Sequence, residues 1–185
     1  ELCRQRGAKM ILDEVQTGLG RTGRIWCHQH DDLEPDMIVT GKGLSGSIYP
    51  IAATLMTAEL HRLFDDHPFV HISTFGGAEI GCAAATTVLD IVEAPGFLER
   101  VRALSDRLAE GLSGAPFELR RRGLMMGLKF PGEQGGMMAA KLFIDAGIFA
   151  VYANNDRSVL QFLPPLVMTD GEVEELIARV RGVFS

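Results

Sequence analysis

Short apolar runs separated by polar loops open the chain: Met10-Ile11-Leu12, Met37-Ile38-Val39 and Ile51-Ala52-Ala53-Thr54-Leu55-Met56. Continuous runs of this length predict strands buried on both faces of a mainly parallel sheet. A helix is expected over 58–64, followed by a polar loop through His67 and Pro68. Gly76-Gly77 then opens a run of small and apolar residues, 80–92, that reads as a tightly packed helix. Ala94-Pro95-Gly96 punctuates the chain and sets an expected domain boundary between 1–93 and 94–185. Beyond it Leu98, Val101, Leu104, Leu108 and Leu112 recur at three- and four-residue spacing, the stripe of an amphipathic helix. Strands over 117–121 and 124–130 meet at Gly123, a helix over 137–145 stops at Gly147, and strands over 149–152 and 159–162 follow. Thr169-Asp170-Gly171-Glu172 is a capping-box pattern for a last helix striped by Val173, Leu176, Ile177 and Val180. The whole is α/β: part of a sheet domain, then a small α+β domain.

Composition narrows the classes. Of 185 residues, 46% are hydrophobic and 23% charged, a profile that can bury a core. Net charge is −6 and the densest basic run is Arg120-Arg121-Arg122, which argues against nucleic acid as a partner. No apolar stretch approaches the roughly 20 residues that span a bilayer, and the first residues are not of signal-peptide type, so neither membrane nor export is expected. Cys3, Cys27 and Cys82 are odd in number and include no C-x-x-C pair, which fits a reducing, cytoplasmic setting. The chain lacks an initial Met and opens in what reads as the tail of a helix stopped by Gly7, so a fragment is expected.

Three motifs are weaker than they look. Gly18-Leu19-Gly20-Arg21-Thr22-Gly23 matches G-x-G-x-x-G after a strand. A dinucleotide site needs those glycines to open a helix, and 24–32 has no helical periodicity; Asp13-Glu14 would also repel a pyrophosphate. Gly41-Lys42-Gly43 is no phosphate loop, because Asp36 stands where its first glycine belongs and Gly43 where Ser or Thr must ligate magnesium. Cys27, His28 and His30 have no complementary ligand pair elsewhere, so no metal is expected.

The chemistry lies instead at two strand ends. Asp13 closes the first strand and Lys42 follows the second, and ligands of open α/β sheets collect outside the carboxyl ends of strands. Alone, these two residues read more readily as a solvated ion pair contributing about 0–1 kcal/mol. Their surroundings decide the matter. The run 13–23, then Pro35-Asp36, Gly41-Lys42-Gly43-Leu44-Ser45-Gly46, Pro50-Ile51 and Ser73-Thr74-Phe75-Gly76-Gly77 closely resemble the signature blocks of class III pyridoxal-phosphate aminotransferases. Residues 63–69, Asn154-Asn155 and Pro164-Pro165-Leu166 are similar to the putrescine, ornithine and ω-amino-acid branch. The resemblance implies a fold type I transferase, here the C-terminal part of its large domain plus the small domain. It makes Lys42 the catalytic lysine that forms the Schiff base with pyridoxal 5'-phosphate, and Asp13 the carboxylate on the cofactor's pyridine nitrogen. Val15 would pack on a ring face, Gln16 would bond the ring oxygen, and Thr74 would bond the phosphate of a neighbouring subunit in a homodimer. The implied reaction is amino transfer from an amino acid, ω-amino acid or diamine to a keto acid. Racemases, aminomutases, decarboxylases and lyases share the architecture, and a non-catalytic dimerising remnant is the reading from another class.

The chain departs from the family pattern at two sites. Ala78-Glu79 replaces the usual Asn-Pro after the paired glycines. Gln161, a candidate substrate-binding residue, stands where many members carry an arginine that clamps a substrate carboxylate; Gln lacks both charge and fork, so either carboxylate recognition is weakened or moved elsewhere, with Arg157 as a substitute, or the exchange is drift at a tolerated position. The family's phosphate loop and stacking aromatic lie upstream of the matching region. The 185-residue chain expressed alone is therefore expected to bind cofactor poorly and turn over nothing. Absorbance titration and a keto-product assay on the purified chain check this, and clear transamination would contradict it.

Overall fold

Strand β1 (Ile11–Asp13) lies parallel to β2 (Met37–Thr40), and β3 (Ala53–Met56) runs antiparallel along the other edge of β2. This is the sheet of the first of two units in the chain. The structure, a computed structural model, describes residues 2–184; residues 2–20 and 24–97 form the first unit, 21–23 and 98–184 the second. The antiparallel β3 makes this sheet mixed. Its strands are not covered on both faces either, since Ile11 is 59% and Leu55 46% exposed within the chain. An apolar run records that a strand avoids water; it does not record what covers it.

The amino ends of β1 and β2 are tied by Asp36. Its Oδ2 accepts the Met10 N–H at 2.8 Å, its own N–H donates to the Met10 carbonyl at 2.8 Å, and its carbonyl accepts the Thr57 N–H at 3.1 Å. The Met10 bond above all holds the Asp36 carboxyl below its ordinary value. Helix α1 (Leu2–Gln5) precedes the sheet and ends near Gly7, which takes the left-handed φ of +65° that glycine tolerates. After β3 come α2 (Ala58–Asp66) and α3 (Glu79–Glu93). Among the described residues no single helix is long and apolar enough to cross a membrane.

The second unit contains α4 (Phe97–Gly111) from its second residue on, then β4 (Glu118–Arg122), β5 (Met125–Lys129), α5 (Gly135–Asp145), β6 (Val151–Ala153), β7 (Asp156–Phe162) and α6 (Asp170–Gly182). Its strands form an antiparallel sheet in the order β4-β5-β7-β6. Alternation decides which side is core: Met126 and Leu128 of β5 and Leu160 and Phe162 of β7 are buried, and they meet Val101, Leu104 and Leu108 of α4, Phe143 of α5, and Val173 and Val180 of α6 in one buried set. Edge-to-face rings such as Phe143 and Phe162, 6.4 Å apart, add to it. The capping box at Thr169 forms as its sequence implies, with the Glu172 N–H donating to Thr169 Oγ1 and the Thr169 N–H to Glu172.

The β4–β5 turn rests on the short segment Arg21–Gly23. The Leu124 N–H donates to the Arg21 carbonyl at 2.9 Å, the Arg21 guanidinium reaches the carbonyls of Leu124 and Pro164, and Arg102 donates to the Gly23 carbonyl at 2.7 Å. Gly123 makes the approach possible: its φ is +57°, and a Cβ there would lie 2.4 Å from the Thr22 carbonyl carbon. Gly123→Ala is expected to cost about 1–3 kcal/mol through strain and overpacking. Thermal unfolding measures it, and an unchanged midpoint would contradict this docking.

Candidate active site

Register brings the two candidate residues to one edge of the sheet. Asp13 pairs with Val39, and the Glu14 N–H continues the ladder to the Val39 carbonyl at 2.8 Å. Lys42 follows Val39 by two intervening residues, so Asp13 and Lys42 both leave the carboxyl ends of adjacent parallel strands. Asp13 is exposed; its Oδ1 accepts the Val15 N–H at 3.0 Å, and no other hydrogen bond engages the carboxylate among the described residues. Lys42 is exposed too and makes no hydrogen bond or ion pair among the described residues. It opens a 3₁₀ turn, Lys42–Ser45, with a φ of +46° that a residue bearing a Cβ adopts only under constraint.

The constraint is visible. The Leu44 N–H closes on the Gly41 carbonyl at 3.0 Å, and Gly46 turns the chain back in the left-handed conformation. The buried Ser45 hydroxyl donates to the Tyr49 carbonyl and accepts the Tyr49 N–H. Helix α3 packs on this turn through Gly81, where a Cβ would sit 2.8 Å from Tyr49 Cδ1 and 3.1 Å from Ile51 Cδ1. An open hollow of about 620 Å³, lined by Lys42, Ser45, Tyr49 and Ile51 among others, lies beside it.

Sequence reasoning passed over Glu14. Adjacent residues of a strand face opposite sides, so where Asp13 meets solvent Glu14 turns inward and is 2% exposed. Its carboxylate accepts from Thr17 Oγ1 at 2.6 Å, the His28 N–H at 2.8 Å, the Cys27 N–H at 3.0 Å and His28 Nδ1 at 3.1 Å. Cys27 and His28 thus serve to satisfy a carboxylate. The acid pair was only a partial signal: alternation sends two successive charges to opposite faces of a strand, but nothing in the sequence shows which face is covered or by what. Gly18 has a packing reason as well, since a Cβ there would lie 2.8 Å from the Trp26 ring, and the glycines lead into a 3₁₀ turn, Cys27–His30, in place of an α-helix.

The other candidates are placed as follows. Val15 and Gln16 are half-buried beside Asp13, and Thr74 is exposed in the turn before α3. Gln161 belongs to the second unit, on the β7 face opposite Leu160 and Phe162, paired with Gly127 and Val151; its Nε2 donates to the Tyr152 carbonyl at 3.4 Å. Arg157 is exposed on the same strand. An unpaired amine and a carboxylate with an unengaged oxygen, at the ends of neighbouring strands, suit a group carrying a carbonyl carbon and a protonated ring nitrogen.

The family profile described as "Aminotransferase class-III" matches residues 1–184. An uncharacterized aminotransferase of Archaeoglobus fulgidus is 46% identical over 190 residues, covering 100% of this chain and 45% of that protein. The ornithine aminotransferase of Toxoplasma gondii, in a structure described with partial occupancy of PLP at the active site, superposes with a TM-score of 0.85 at 32% identity, over 99% of this chain and 44% of that one. N-acetylornithine aminotransferase from Stenotrophomonas maltophilia gives a TM-score of 0.81 at 31% identity, over 99% and 48%. The chain therefore spans a little under half the length of these relatives.

Burial pushes the Glu14 carboxyl up, but the hydrogen bonds from Thr17, His28 and Cys27 together outweigh it and hold it below its ordinary value. A carboxyl that ionises more readily folded than unfolded stabilises fully above the ordinary glutamate range, about pH 4, and that stabilisation is lost as pH falls through the lower folded value. The difference in unfolding midpoint between the native protein and Glu14→Gln should therefore be largest near neutrality and shrink below about pH 4. A pH-independent difference would contradict this.

Proposed function

We propose that this chain, which belongs to the class III aminotransferase family, is the cofactor-anchoring part of a pyridoxal-phosphate-dependent transaminase. The observation that carries the reading is Lys42: exposed, unpaired among the described residues, held at φ +46°, and set beside Asp13 at the ends of parallel strands. The cofactor, when bound, supplies an electron sink for the bond that breaks next to the substrate nitrogen.

The chain's own residues would do the rest. Asp13, with an oxygen to spare, holds the proton on the cofactor's ring nitrogen, as a nearby opposite charge does for any titrating group. Lys42 Nζ would hold the cofactor covalently until the substrate's amine displaces it, and as the freed amine would take the proton from the amine-bearing carbon of the substrate and deliver it to the cofactor's former carbonyl carbon. Val15 covers a ring face and Gln16 donates to the ring oxygen. Thr74 donates to the phosphate of a second subunit, so the working protein is a homodimer. The donor is an amino acid, ω-amino acid or diamine and the acceptor a keto acid. Support for the amine side comes from the similarity to ornithine and N-acetylornithine aminotransferases. Gln161 binds a substrate carboxylate weakly, being already turned to the Tyr152 carbonyl. Three free cysteines suit a reducing, cytoplasmic setting.

The test uses the complete protein loaded with pyridoxal phosphate and assayed with ornithine, N-acetylornithine, ω-amino acids and diamines. Lys42→Ala should abolish the absorbance that borohydride fixes to the chain and lower transamination by more than roughly 10³-fold, and Asp13→Asn by roughly 10²-fold or more. Retention of the borohydride-fixed absorbance in Lys42→Ala would overturn the assignment. Gln161→Arg should lower KM for the keto acid; an unchanged KM removes Gln161 from the substrate site.

A further inference from the structure

Glu14 is a charged side chain removed from water in the midst of the proposed cofactor site, yet no step of the reaction uses it. We propose that Glu14 is the positioning residue of that site: it touches neither cofactor nor substrate, and it fixes the backbone that aims Asp13, Val15 and Gln16. The inference rests on the assignment of Asp13 and Lys42 made above.

Glu14 is held by all three of its polar parts. Its N–H donates to the Val39 carbonyl at 2.8 Å, its carbonyl accepts the Gly18 N–H at 3.0 Å, and its carboxylate takes the four donors of Thr17, Cys27 and His28. Val15 and Gln16 therefore lie inside a loop closed at Thr17 and Gly18, and Asp13 is the last rung of the ladder before that loop. The Val15 N–H bonded to Asp13 Oδ1 at 3.0 Å passes the constraint on to the Asp13 side chain. An ionised carboxylate suits the place because it only accepts, and every partner here can donate; His28 Nδ1 then carries its proton toward Glu14. Glutamine has the same shape but presents an N–H₂ to N–H and O–H donors, so some of these contacts turn donor against donor. Sites of this kind need their supporting groups locked to within about 0.5 Å.

The experiment compares Glu14→Gln with Asp36→Asn in the complete protein. Asp36 ties the opposite ends of the same two strands and lies outside the site, so it reports lost stability alone. Three readouts are taken: pyridoxal-phosphate affinity by titration into the apo form, circular dichroism of the bound cofactor in the visible, and the unfolding midpoint. Glu14→Gln should weaken cofactor binding at least about tenfold and change the visible dichroism, which follows the orientation of the ring. Asp36→Asn should lower the midpoint and leave the other two unchanged. Native affinity and dichroism in Glu14→Gln would overturn the proposal, as would the same changes in Asp36→Asn at an equal loss of stability. If Glu14→Gln does not fold, Thr17→Val removes one donor while keeping the shape, and should shift both cofactor readouts in the same direction by less; no shift overturns the proposal. A native protein that takes up no cofactor through Lys42 overturns the functional reading and this inference together, whereas normal uptake with an indifferent Glu14→Gln overturns this inference alone.

Discussion

The parallel ladder between β1 and β2 runs only from Ile11↔Met37 to Asp13↔Val39, and the placement of the chemical groups depends on it. So short a pairing would fray in isolation. It is secured at both ends by buried or half-buried acids acting as acceptors: Asp36 on the Met10 amide before the ladder starts, and Glu14 on four donors just after it stops. With its ends fixed, the register fixes which residues emerge at the carboxyl edge. Asp13 and Lys42 then become neighbours despite their separation in sequence.

What could be read from the chain beforehand follows from what each signal measures. Apolar runs located β1, β2 and β3, because avoidance of water is written residue by residue. They could not give the direction of β3 or the exposure of Ile11 and Leu55, which depend on what lies alongside. Strand ends followed by turns placed Asp13 and Lys42 at one edge of the sheet, but alone they read as an ion pair, and only the resemblance of the blocks around them implied a cofactor role. Glu14 was hidden because its partners, the Cys27 and His28 amides, come from a later turn whose approach no local pattern announces. Gly18 misled for a related reason: the residue that needs its missing side chain is Trp26.

In the second unit the alternation of β5 and β7 was nearly sufficient, since period-two burial puts Met126, Leu128, Leu160 and Phe162 on one side and Gln161 on the other. The start of β7 at Asp156 escaped notice. Asp156, Arg157 and Ser158 are polar, and they hold strand geometry through tertiary bonds such as Lys129 Nζ to Asp156 at 2.9 Å and to Ser158 at 2.6 Å. Similarly, Arg21–Gly23 reads as the tail of a glycine loop, and only the tight approach of Gly123 to Thr22 explains why it belongs with residues far along the chain.

The left-handed backbone at Lys42 has a consequence for how this protein can change. A side chain held there costs about 1–2 kcal/mol that glycine would not. Under the role proposed for Lys42, thermodynamic improvement and chemical competence pull this position in opposite directions. A lineage released from the need for that amine would find a more stable chain one substitution away, at the lysine proposed to carry the chemistry.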